Sequence, residues 1–409
     1  MKYVRAIFAA LITAWVGANA PASAQDRYGA ALPPGYLHTR GSQIVDQRGR
    51  PVRIAAIGWS GGDNSAFVPE GLYAVNYRET IQAMRALGFN TIRLPYCDLW
   101  VGAKAGAMPR NDREYTSIDY RRNPDLKGLT ALEVLDRVID AARDAGLKII
   151  IDHHNNSCTA GQQKNGLWYD DAVSAETFEA NWLFLARRYR GNDTIIGYDL
   201  NNEPLEAAGW GSGGVNDWHA QAQKLGRMIQ AIDPGPLIIV EGPQTYNRRP
   251  NMPDPGPQGN LQGVRVLPIV LDVPNKLVYS VHEYPPSVFD AGFNRDPHSL
   301  VAQMNRIWGF VVKEGIAPVW VGEMGSSLET ETDRMWARTI TAYLDGKLGE
   351  LGGPTFSGDE QGIGTGWWCW GHLDNWVPNG VLSNWNGTPR PDQYRIVQQL
   401  QMRTHRADR

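Results

Sequence analysis

Two glutamates stand at the ends of apolar runs. Ile195–Pro204 reads Ile-Ile-Gly-Tyr-Asp-Leu-Asn-Asn-Glu-Pro, so a strand-like stretch delivers Glu203 beside Asn202 and stops at Pro204. Proline has no N–H to give to a sheet, and the pairing must end there. Pro318–Gly325, Pro-Val-Trp-Val-Gly-Glu-Met-Gly, delivers Glu323 in the same way. One such acid is equally well explained as a helix cap or a loop acid. Two carboxylates at the ends of two strands suit glycosidic-bond cleavage best. One acid protonates the leaving oxygen, and the other attacks the anomeric carbon or activates water.

Those strands belong to an alternating series. Strands are expected at Val52–Ile57, Phe89–Leu94, Leu147–Ile151, the Ile195 run, Leu237–Val240, Leu277–Val281, the Val319 run and Trp367–Trp370. Helical stretches lie between most of them. Thr130 and Glu133 have capping-box spacing ahead of Leu132, Leu135, Val138 and Ala142. Phe178, Trp182, Leu185 and Tyr189 form one helical stripe. Eight strands mostly followed by helices predict a closed (β/α)8 TIM barrel, α/β in class, as a single domain. An open doubly wound sheet is disfavoured because no glycine-rich phosphate loop follows any early strand.

In a barrel the carboxyl ends of the strands share one face, which holds the site. Arg93 falls near the end of the second strand, and Asp152, His153 and His154 near the end of the third. The fourth gives Asn202 and Glu203, the fifth Glu241, the sixth His282 and Tyr284, the seventh Glu323, and the eighth Trp368 or Trp370. So many ionisable groups in one mouth would be costly without a purpose. Asp152, His154 and His282 are scattered singly, without a closed ligand spacing, so no metal is expected. The two-carboxylate chemistry needs no cofactor. Of the rest, His153 and Glu241 are read as supporting groups, and Trp367 and Trp370 as packing. Arg93 taken alone could be a structural ion pair.

The first residues read as an export signal. Lys2 and Arg5 precede an apolar run from Ile7 to about Val16, and Ala22-Ser23-Ala24 offers a cleavage site. The domains are therefore a signal peptide, 1–24, and a catalytic barrel, 25–409, secreted or periplasmic and without a membrane span. Barrels commonly reach such a length as one domain. A net charge of −3 points to neither nucleic acid nor an anionic membrane. A monomer is expected, and 15 Trp and 16 Tyr supply core and some sugar-stacking faces. Of the three cysteines, Cys97 and Cys158 follow neighbouring strands and could bridge, while Cys369 reads as a small buried apolar residue.

With Asn-Glu-Pro and Gly-Glu-Met-Gly in this order, the chain resembles glycoside hydrolase family 5, and within it bacterial secreted endo-β-1,4-glucanases. The resemblance runs from about Val52 to the last strand. It is strongest in Asn90–Tyr96, Asp152–Tyr169, Ile195–Pro204, Val270–Tyr284 and Pro318–Gly325. It implies a retaining mechanism on a polysaccharide or oligosaccharide, with Glu203 as acid/base, Glu323 as nucleophile and carboxyls about 5–5.5 Å apart. Arg93 and Tyr284 would hold Glu323, and Asn202 the sugar 2-hydroxyl. His154, His282 and Trp368 would line the cleaved subsite.

Three stretches depart from the resemblance. Gly58 stands where relatives carry asparagine, Asn247–Gly259 lacks their stacking tryptophans, and Asp374–Gly380 replaces a glycine-rich turn. Tyr73, Trp210 or Trp376 could stack instead. A β-mannanase or mixed-linkage glucanase on the same site is therefore an alternative. A non-catalytic carbohydrate-binding barrel is another, and it would predict loss of one acid.

Overall fold

The computed structural model describes residues 29–159, 161, 163–205, 207–244, 259–290, 292–371 and 380–403. The expected signal peptide, Trp376 and nearly all of the two departing loops at Asn247–Gly259 and Asp374–Gly380 lie outside them.

Eight parallel strands close into a barrel in chain order: Ala55–Gly58, Thr91–Cys97, Lys148–Asn155, Ile195–Asp199, Leu237–Glu241, Leu277–Glu283, Val319–Met324 and Gly364–Trp367. The last pairs with the first, Thr365 opposite Ala55. Helices on the outside include Tyr77–Ala86, Ala131–Asp144, Ala175–Arg188, Trp218–Gln230 and Glu331–Leu344. Their starts are set by short polar side chains that accept orphan amides: Asn76, Thr130 with its reciprocal Glu133, Ser174, Asp217 and Thr330.

Two expected strands shift. Val52 is not part of the first barrel strand. It belongs to an antiparallel sheet of His38–Arg40, Gln43–Val45 and Pro51–Val52, which alternation in so few residues did not reveal. The eighth strand starts and ends earlier than expected, at Gly364–Trp367, so Trp368 lies just beyond it. Gly364 and Gly366 leave room inside for the Trp320 indole: a Cβ would sit 3.1 Å from its ring at Gly364 and 3.3 Å at Gly366. Those glycines dilute the strand signal in the sequence.

The N-terminal end of the pore is apolar. Ile54, Ala56, Ile150, Ile196, Leu237, Ile239, Val278 and Trp320 form one buried cluster with Leu32, Leu37, Ile44 and Val52 of the N-terminal segment. The opposite end carries the polar residues.

Candidate active site

The period-two alternation of a strand decides which residues enter the pore. On the third barrel strand Ile150 joins the apolar interior, and Asp152 and His154 follow on the same side. His153 faces outward, with its ring between Tyr96 and Phe178 and its nitrogens 2.8 Å from Asp98 and 2.8 Å from Asn201. It is a supporting residue, as expected. By clamping Asn201 it fixes the turn that carries Asn202 and Glu203.

Glu323 reaches the pore by a different route. Gly322 already faces inward, for a Cβ there would meet Ser280 Oγ at 2.6 Å and His282 Nε2 at 3.2 Å. Strict alternation would put Glu323 outside. The pairing register slips between Val321 and Glu323, and this bulge turns the glutamate back into the mouth.

Arg93 is the hub. It is fully buried, and its guanidinium donates to Asp199 at 2.9 Å, Glu323 at 2.5 Å and Asn202 Oδ1 at 3.0 Å, with Asp152 also at 3.0 Å. Burial alone would lower its pKa, but Asp152, Asp199, Glu323 and Glu241 outweigh that and hold the proton firmly. Asp199 was not among the residues singled out from sequence. Its signal was its place two residues after the inward Gly197. Burial raises its carboxyl to about 6, against the pull of Arg93.

Tyr284 donates its hydroxyl to the other oxygen of Glu323 at 2.7 Å. Burial pushes the Glu323 carboxyl up, but His282, Arg93, His154 and that hydroxyl bring it down to about 2. His282 lies between the two glutamates, with Nδ1 2.9 Å from Glu203 and 3.7 Å from Glu323. Burial would lower both histidines. Glu241, Glu323 and Glu203 instead raise His282 to about 10, and Asp152, Asp63 and Glu323 raise His154 to about 9. Glu203, His282 and Glu323 each place one donor atom within 4.8 Å of the others. A metal there would have to displace the proton that the surrounding acids hold on His282.

His154 donates its Nδ1–H to Asp152 at 2.7 Å, and its ring stacks on Trp368 at 5.1 Å and 9°. Trp368 is half-buried, whereas Trp367 and Trp370 are fully enclosed packing residues, as expected. Gly58 explains its own departure. A Cβ there would lie 2.4 Å from the Trp368 ring, so this indole fills the space of any larger side chain. Trp210 is not a stacking surface. It is buried on His219 and Tyr279, and its N–H donates to Leu267 O at 2.9 Å. Tyr73 remains exposed, edge-on to Trp385 at 6.0 Å. Cys97 and Cys158 are joined in a disulfide that ties the ends of the second and third strands, and Cys369 is buried and free.

Every described site residue anticipated from the sequence therefore converges on one mouth: Arg93, His154, Asn202, Glu203, His282, Tyr284, Glu323 and Trp368. A closed parallel barrel with two adjacent carboxylates at its carboxyl end, one beside a buried arginine and a tyrosine, defines a glycoside hydrolase of the retaining geometry. The cellulase profile (glycosyl hydrolase family 5) matches residues 45–374, and the chain belongs to that family. It is 38% identical over 300 residues to an endoglucanase of Paenibacillus polymyxa, covering 72% of each chain. It is 32% identical over 375 residues to the major extracellular endoglucanase of Xanthomonas campestris, covering 89% of this chain and 71% of that one. An endocellulase of Pyrococcus horikoshii, solved as a complex with cellotetraose, superposes with a TM-score of 0.75 at 28% identity. That match covers 91% of this chain and all of that one (100%).

Proposed function

We propose that the chain is an endo-β-1,4-glucanase in which Glu323 is the nucleophile and Glu203 the acid/base. The observation that carries the assignment is the asymmetry of the two carboxylates. Glu323 is gripped by Arg93 and Tyr284 and held near pKa 2, so it is ionised at neutral pH. Glu203, its side chain 11% exposed, has His282 as the polar partner of its carboxyl among the described residues. Their oxygens come within 4.8 Å, near the short spacing of direct attack and well below the roughly 6.5–9.5 Å that leaves room for an intervening water.

Glu323 attacks the anomeric carbon while Glu203 gives its proton to the departing oxygen. Glu203 then takes a proton from water, which displaces Glu323 from the sugar. Asn202 has its carbonyl held by Arg93, so its amide N–H groups are left for the 2-hydroxyl. Trp368, with His154 stacked against its ring, offers the flat wall on which the sugar rests. The start of the chain reads as a cleaved export signal, in keeping with an extracellular relative. Among the described residues no helix is long and apolar enough to cross a membrane.

A reducing-sugar assay on carboxymethyl-cellulose, barley β-glucan and glucomannan tests this. Carboxymethyl-cellulose should be cut, and Glu323→Gln should lose at least about a thousandfold in kcat with its melting temperature preserved. Substantial turnover by folded Glu323→Gln would sink the nucleophile assignment. Activity on glucomannan alone would keep the mechanism and move the substrate.

A further inference from the structure

One buried acid stands outside the catalytic pair. Glu241 ends the fifth barrel strand and is fully enclosed. Its Oε2 accepts the backbone amide of Glu203 at 2.8 Å and lies 3.5 Å from His282 Nε2. The other nitrogen of that ring meets the Glu203 carboxyl at 2.9 Å. Two hydrogen bonds, Glu203 amide to Glu241 and His282 to the Glu203 carboxyl, are thus linked by an ion-pair contact between Glu241 and His282 Nε2, a nitrogen with no hydrogen-bond partner among the described residues. Among the described residues Oε1 of Glu241 has no hydrogen-bond partner, an expense that an apolar residue at this position would avoid.

Glu203 itself is strained. Its φ is +44°, in the left-handed region, and it precedes Pro204, which already restricts the backbone before it. Such a residue costs about 1–3 kcal/mol and persists only where its surroundings over-determine it. The bond from its amide to Glu241 is the contact that holds this conformation from the pore side.

We propose that Glu241 is a positioning residue for the acid/base. It locks the left-handed turn by accepting the Glu203 amide, and it orients His282, which in turn aims the Glu203 carboxyl. This rests on Glu203 being the acid/base. The charged groups facing Glu241 are His282, Glu203 and Asp199, with Arg93 further off. Burial first, then Glu203 and Asp199, push its carboxyl well up, while His282 pulls it down. A glutamine should therefore be a close substitute: it offers the same acceptor to the amide and carries no charge.

The test compares two substrates: cellotetraose, whose leaving group needs a proton, and dinitrophenyl β-cellobioside, whose leaving group departs without one. Glu241→Leu should lower kcat/KM on cellotetraose about a hundredfold and on the dinitrophenyl substrate less than about threefold. The alkaline limb of its cellotetraose pH profile should shift. Glu241→Gln should recover to within about tenfold of the native enzyme. Equal losses on both substrates, or none on either, would overturn the proposal. If Glu241→Leu does not fold, Glu241→Asp withdraws the acceptor by one methylene and should show the same split; native behaviour there also overturns it. Glu203→Gln must itself show the split. Its failure to do so would remove the acid/base assignment rather than the role of Glu241.

Discussion

The two ends of the barrel are built from the same eight strands and hold opposite contents. At the N-terminal end Ile150, Ile239, Val278 and Trp320 interdigitate without a charge among them, under an antiparallel cover. One layer up, two residues along the same strand, Ile150 gives way to Asp152 and Ile239 to Glu241. There Arg93, His154 and His282 are enclosed with five acids. The lower end is stabilised by apolar area removed from water, roughly 25 cal/mol per Å². The upper end is an assembly of charges that is tolerable only because each has partners. Packing energy made below supports a mouth that would be unstable alone.

Removing the hub should break this contrast most severely. Arg93→Met leaves Asp152, Asp199 and Glu323 buried without their shared cation, and should cost about 3–5 kcal/mol by chemical denaturation together with nearly all activity. It should also change the pH response. Glu323 is depressed to about 2 in the folded chain, so its contribution to stability is complete above the unfolded value, near 4.3, and is lost as pH falls toward 2. That acid-side slope should flatten in Arg93→Met, while the acid limb of kcat/KM moves to higher pH.

At the lower end the prediction is the reverse. Ile150→Ala opens a cavity among Ile196, Ile239 and Val278 and should cost about 2–5 kcal/mol. Its kcat in the cold should stay within about twofold of native, because no charge has been disturbed. A matching loss of kcat would mean that the two ends are not separable.

The smallest effect should come from just outside the pore. Glu283 alternates away from His282 and accepts the Trp308 N–H at 2.6 Å. Burial raises its carboxyl to about 8, against that bond and His282. The folded chain then holds a proton that the unfolded chain has released, so native stability falls as pH rises from the unfolded value, near 4.3, to about 8. Glu283→Gln should remove this slope, a few kcal/mol at most, and leave kcat near native. An unchanged slope in thermal melts across that range would show Glu283 ionised at neutral pH.

Much of this was legible in the residues. The eight apolar runs, their helical partners and the capping box at Thr130 are local signals, since they depend on side-chain period and on the bonds a short polar residue can make. The polar residues at strand ends are local too, which is why Glu203, Glu323, Arg93, His154, His282 and Tyr284 could be picked out one strand at a time. Three features were not legible. The cover strands are too short to show a period. The role of Asp199 depends on a guanidinium 106 positions away in sequence. Gly58 looked like a defect until the Trp368 ring was found against it.

The sequence by itself determined the strand order, the chemistry on offer at each strand end and the family to which the chain belongs, because these follow from residue types at fixed short spacing. The resemblance implied which acid is gripped, and the folded chain shows how one is gripped and the other left open. That depends on a register slip at Gly322–Glu323 and a left-handed turn at Glu203, both held by partners from other strands. A bulge and a strained φ are set by long-range packing that no local pattern encodes.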